Sequence, residues 1–163
     1  MPSTASPCDL KPSGLQVVLL CPEIPPNTGN VGRLCLAAQA TLHLVGPLGF
    51  SIDDRAVKRA GLDYWAEVDL RVWENWDVFS AACLASESAR FFLLTTKADQ
   101  LYWNTTFAPG DFLIFGSETR GLPATLLAAH PERRLTIPQQ SVRSLNLATA
   151  VGIVLYEAIR QLS

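Results

Sequence analysis

Three stretches place arginine, asparagine, serine and glutamate among glycines and prolines. They are PEIPPNTGNVGR at 22–33, FGSETRGLP at 115–123 and IPQQSVRSLN at 137–146. A guanidinium is a permanent cation with a forked donor set that matches phosphate. Glycine lets a backbone approach a ligand closely, and the free N–H groups of a helix start favour an anion. Together these residues can hold and orient a phosphate-bearing substrate. A well-capped structural turn explains the first stretch equally well on its own, but three stretches of one kind argue for a site. Other chemistries lack their residues. No GxxxxGK[ST] occurs and no GxGxxG follows the first apolar run, so the familiar nucleotide loops are absent. The two histidines, His43 and His130, fall outside the three stretches. His43 reads as a packed strand residue and His130 as a helix C-cap, which leaves no Ser–His–Asp set. Cys8, Cys21, Cys35 and Cys83 are scattered without a CxxC pair, the pattern of thiols in a reducing cytoplasm rather than of a disulfide or zinc framework.

Each stretch lies where a strand should become a helix. Strands are expected over residues 16–20, 42–45, 67–73, 90–95, 111–115 and 134–137. Helices are expected over 28–40, 53–61, 75–86, 123–130 and 146–162. Asn27 or Thr28 is the expected N-cap of the first helix, and Asp53 and Asp54 fall in the first turn of the second. Short apolar runs bounded by turn residues and alternating with helices predict an α/β fold with a mainly parallel sheet. In such sheets ligands bind beyond the carboxyl ends of the strands.

With 163 residues, 48% of them hydrophobic, the chain suits a single domain with a real core. Residues 15–163 are assigned to that domain and residues 1–14 to a flexible tail without the features of a secretory signal. No apolar run approaches the roughly 18 residues of a membrane span, so no membrane partner is expected. A formal charge of −2 predicts local contact with nucleic acid rather than a broad electrostatic coat.

NTGNVGR, FGSETRGLP and IPQQSVRSLNLATAVGIVLYEA resemble, in order, the three motifs of the SPOUT RNA methyltransferases. The likeness is greatest to the small tRNA (cytidine/uridine-34) 2′-O-methyltransferases, with support from GLDYW at 61–65 and LTTK at 94–97. It covers nearly the whole chain. The resemblance implies a C-terminal trefoil knot, a cytoplasmic homodimer, and methyl transfer from S-adenosylmethionine to the ribose of the tRNA wobble nucleotide in the anticodon loop, with no metal. The implied cofactor contacts are Leu94, Thr95, Gly116, Gly121, Ile137, Ser144 and Leu145. The implied catalytic set is Arg33, Asn30, Glu118, Ser144, Asn146 and Tyr156. In it Arg33 anchors phosphate and stabilises a developing alkoxide, with a direct base role left open. Asn30 orients Arg33 or the ribose, and Glu118 holds the loop or an arginine. Tyr156 either reaches the site or packs.

Arg59, Arg120 and Arg143 are the candidate RNA contacts, with Arg55, Lys58 and Lys97 nearby. Leu147, Val151, Val154, Leu155, Ala158 and Leu162 form an apolar stripe on the last helix. The stripe serves either a dimer interface or the domain's own core. Gln139-Gln140 and Ala148-Thr149 depart from the usual pattern, which bears on nucleotide preference. Two alternatives stay open: methylation of another tRNA or rRNA position, and a non-catalytic RNA-binding protein of the same fold.

Overall fold

The computed structural model describes residues 13–53 and 55–163. The expected tail (apart from Ser13 and Gly14), Cys8 and Asp54 lie outside the described residues. So do the side chains of Lys58, Ala60, Leu62 and Asp63.

Six strands are joined by helices. The strands are β1 (Gln16–Leu20), β2 (Thr41–Val45), β3 (Leu70–Trp73), β4 (Phe91–Leu94), β5 (Phe112–Phe115) and β6 (Arg134–Leu135). The helices are α1 (Pro25–Ala37), α2 (Arg55–Gly61), α3 (Trp76–Cys83), α4 (Ala124–Ala129) and α5 (Leu147–Leu162). Every pairing is parallel, in the order β3-β2-β1-β5-β4-β6. The order of connection along the sheet reverses at β1, with β2 on one side and β5 on the other. Ser13 accepts from the Gly110 amide and Gly14 accepts from the Gln16 side chain, so the chain is already tied to the domain before β1 begins.

Period-two alternation distributes β1 between two cores. Val17 and Leu19 face α1 and α5, together with Leu42, Leu113 and Phe115. Val18 and Leu20 face the other layer, where Ile114, Leu93, Phe79, Leu126 and Leu127 gather. The α5 stripe belongs to the first of these cores: Leu147, Val151, Val154, Leu155 and Ala158 are buried within this one chain, joined by Ile159. Leu162, expected on the stripe, is only half-buried. The stripe is therefore not free to build a dimer interface.

Several expected elements shift, among them the second helix, which begins at Arg55, and the third, which ends at Cys83. α1 begins at Pro25, not at Thr28, and its N-cap position is Ile24, which forms no side-chain cap. The two prolines are the first turn of the helix, where the missing N–H costs nothing. Residues 67–69 leave the expected third strand because Glu67 ends a 3-10 segment, Leu62–Glu67. The expected last strand shortens to Arg134–Leu135. The reading of His43 holds. Trp73 Nε1 donates to its Nδ1 at 3.0 Å, so the ring proton sits on Nε2 and points to Gln16 Oε1 at 2.6 Å. Burial lowers its pKa from 6.5 to about 4, with Arg71 adding to the shift and Asp69 opposing it. His130 is the C-cap residue of α4.

Candidate functional site

A cavity of about 580 Å³ opens at the carboxyl ends of β4, β5 and β6. Its volume suits a cofactor-sized ligand. Leu94 and Thr95 leave β4, Gly116 leaves β5, and Thr136 and Ile137 leave β6; all of them line it, as do Gly121, Ser144 and Leu145. Every residue expected from the resemblance to contact the cofactor thus borders one space. Leu122, Leu127 and Leu147 add apolar wall, while Thr95, Ser117, Ser144 and Asn146 add hydroxyls and an amide. That mixture fits a ligand with a flat apolar ring and a polar, hydrogen-bonding rim.

Glu118, Asn146, Arg120, Arg143 and Lys97 also line the cavity. Asn146 caps α5 by accepting from Thr149 N at 3.3 Å and donates its amide to Asn27 Oδ1 at 3.0 Å. Asn27 is buried and borders the cavity. It escaped notice in the sequence because it reads as a local N-cap; its partner lies 119 residues away.

Glu118 holds the start of α1 rather than an arginine. Its carboxylate accepts from Glu23 N at 2.9 Å and from Ile24 N at 2.6 Å. These amides lead into the helix, whose first two residues, Pro25 and Pro26, have no N–H of their own. In return Glu23 Oε1 accepts from Thr119 N at 3.2 Å and from the Thr119 hydroxyl at 2.6 Å. Burial raises the Glu118 pKa against the pull of those amides and with the help of the Glu23 charge. Hydrogen bonds from Thr119, then Ser117, hold the Glu23 carboxyl below the usual range. The two carboxylates clasp residues 117–119 to the N-terminus of α1. The Glu23 and Thr119 halves of this clasp were not visible in the sequence, where nothing relates the two positions.

Gly116 has a reason different from ligand approach. A Cβ there would lie 2.1 Å from Gly121 C and 2.2 Å from Leu122 N, so the loop folds back on the glycine itself. Gly121, at φ 67°, makes that return, bridging to Ser117. Only glycine adopts this conformation without strain.

Arg33, Asn30, Arg59 and Tyr156 do not line the cavity. Asn30 and Arg33 sit one turn apart on the exposed side of α1. The Arg33 guanidinium lies over the Tyr64 ring, 5.6 Å from its centroid. Arg55 and Arg59 are exposed on α2, and Tyr156 is 42% exposed on α5. One copy of the chain therefore brings the expected cofactor contacts around one cavity and leaves Arg33, Asn30, Arg59 and Tyr156 on its surface. Among the described residues no cluster of His, Cys, Asp and Glu could hold a metal ion.

Comparison with known proteins agrees with this arrangement. A protein from Burkholderia ambifaria named tRNA (cytidine(34)-2′-O)-methyltransferase is 50% identical over 147 residues, 89% of this chain and 94% of its own. A solved structure described as "Structural insights into the 2-OH methylation of C/U34 on tRNA" superposes with a TM-score of 0.88 at 46% identity, covering 93% of this chain and 98% of that one. An AdoMet-bound rRNA methyltransferase from Sinorhizobium meliloti superposes with a TM-score of 0.82 at 26% identity, over 94% of this chain and 58% of that one. The model of the SpoU rRNA Methylase family matches residues 14–156, and with the strand-end cavity and its three loops this places the chain in the SpoU rRNA methylase family.

Proposed function

We propose that this chain transfers a methyl group from S-adenosylmethionine to the ribose 2′-hydroxyl of the wobble nucleotide of tRNA, C34 or a modified U34. One observation carries the reading. All the positions expected to contact the cofactor line one cavity beyond three strand ends, in a chain half identical to a named cytidine-34 enzyme. When bound, S-adenosylmethionine supplies a methyl group on a sulfonium, a leaving group that needs no metal.

The protein's own work is holding and orienting. Leu94, Thr95, Gly116, Gly121, Ile137, Ser144 and Leu145 bind the cofactor, and the Glu23–Glu118 clasp keeps the second loop shut. Fixing two reactants in register is worth about 7–11 kcal/mol. Arg120 and Arg143, at the rim, take tRNA phosphates. Arg33 supplies positive charge where the hydroxyl loses its proton, and Asn30, on the same face of α1, orients the ribose. Arg59 extends the basic surface.

The active form in this reading is a homodimer. It is favoured by the exposure of Arg33, Asn30, Arg59 and Tyr156 outside the cavity of their own copy, which leaves them available to a second one. The α5 stripe takes no part, being core. Residues 15–163 act as one domain, and the segment after β6 is tied in a trefoil knot. That topology accords with residues 137–146 sharing a cavity with the loops after β4 and β5. No described helix is long and apolar enough to cross a membrane, which is compatible with work in the cytoplasm.

The test is to incubate the protein with S-adenosylmethionine and tRNA lacking the modification, then map the product by mass spectrometry. A single methyl on the wobble ribose is expected, and none when that nucleotide is 2′-deoxy. Methyl incorporation into the deoxy substrate, or onto a base, overturns the reading.

A further inference from the structure

The 3-10 segment Leu62–Glu67 packs against α1 through two adjacent residue pairs. A Cβ on Gly32 would lie 2.6 Å from Trp65 Cζ3, so the absent side chain is the notch that admits the indole. Trp65 in turn packs on the core. One residue along each segment, Arg33 meets Tyr64. At 5.6 Å from the centroid the guanidinium lies within cation–π range. Among the described residues no carboxylate pairs with Arg33, and both Arg33 and Tyr64 are exposed. A long exposed side chain with no anchor samples many rotamers and loses that freedom when it engages a ligand. The aromatic face removes part of that freedom in advance, without neutralising the charge as a carboxylate would.

We propose that Tyr64 is a positioning residue for Arg33. Its ring, set in place by Trp65 in the Gly32 notch, holds the guanidinium in the direction from which it meets the RNA. The aromatic face does this, and the phenol hydroxyl has no part in it. The proposal rests on the function given above, in which Arg33 acts on the tRNA.

Two measurements separate the proposal from that reading. In NMR spectra of the wild type, the Arg33 side-chain protons should be shifted upfield by the Tyr64 ring. The shift should persist in Tyr64→Phe and vanish in Tyr64→Leu; this requires no activity. In methyl transfer to tRNA, Tyr64→Leu should lower kcat/KM about two- to fivefold, the worth of an exposed cation–π contact. Tyr64→Phe should act as the wild type. S-adenosylmethionine affinity and the unfolding midpoint should hold in both variants. The double variant Arg33→Ala/Tyr64→Leu should be no slower than Arg33→Ala alone. An unshifted Arg33 in the wild type, or a Tyr64→Leu loss that adds in full to that of Arg33→Ala, overturns the proposal. A wild type that methylates no tRNA while the ring shift is present overturns the functional reading and leaves the Arg33–Tyr64 contact standing.

Discussion

Lowering the pH should destabilise this protein through His43. The ring is buried, and its two nitrogens are committed, one accepting from Trp73 and the other donating to Gln16. A proton arriving at Nδ1 must displace the indole donor and place a charge among Trp73, Phe79 and Phe112. Burial is the main cause of its pKa falling from 6.5 to about 4, and the nearby Arg71 deepens the fall while Asp69 resists it. The folded affinity for the proton is depressed, so the unfolded chain protonates first. Stability from this group is complete above about 6.5, declines as pH falls from there to about 4, and is then lost. A gap of this size is worth about 3 kcal/mol over the window. Urea unfolding followed by tryptophan fluorescence at pH steps between 7.5 and 4.5 reads it, with His43→Leu as control. Subtracting the control removes whatever the other titrating groups contribute, since they are common to both proteins. The wild type should lose about 2–3 kcal/mol more than His43→Leu across the window. Parallel pH profiles, or a His43 ring that titrates near 6.5 by NMR, would refute the reasoning.

Gly116→Ala forces backbone apart at Gly121 and Leu122, so it should cost at least the upper end of the about 1–3 kcal/mol typical of overpacking, read as a drop in unfolding midpoint together with lost S-adenosylmethionine binding. Val151→Glu puts a charge at a fully buried position and should cost several kcal/mol in chemical denaturation, whatever the oligomeric state. Sedimentation of the wild type at micromolar concentration should give a dimer; a monomer would sink that part of the proposed function. Binding to tRNA should follow a shallow salt dependence, with a log–log slope of about −2 to −4 for a few phosphate contacts; a slope near −8 would mean a broad basic surface instead.

The limits of β1 are legible to the residue, because a buried parallel strand announces itself as a continuous apolar run. The loops at 22–33 and 115–123 are legible for the same reason, since each follows such a run. The start of α1 is not legible. Pro25 and Pro26 fall outside the expected helix only while the cap is sought nearby, and the Glu118 carboxylate that holds Ile24 N is 94 residues away. Asn27 was misread for a similar cause, since its hydrogen bond goes to Asn146. The α5 stripe shows the other kind of limit. Helical spacing reveals that one face is apolar, but whether a sheet or a second copy covers it depends on tertiary placement. Gly116 borders the cavity, yet its missing side chain makes room for Gly121 and Leu122; a glycine marks a close approach without naming what approaches.

The clasp between the two carboxylates also bears on the order in which the chain acquires its structure during synthesis. The amides of Glu23 and Ile24, which lead into α1, are held by Glu118, and Glu118 follows β5, which itself must seat beside β1. When the first fifty residues have left the ribosome, α1 can coil, with Ile24 O accepting from Asn27 N and Thr28 N, but the two residues that lead into it lack their carboxylate acceptor. The turn that bears Asn27 is secured only after the centre of the sheet has closed around a long intervening chain, an event that contact separation makes slow. The two halves of the cavity therefore mature together: neither the loop after β5 nor the head of α1 is complete without the other, and a ligand that steadies one steadies both.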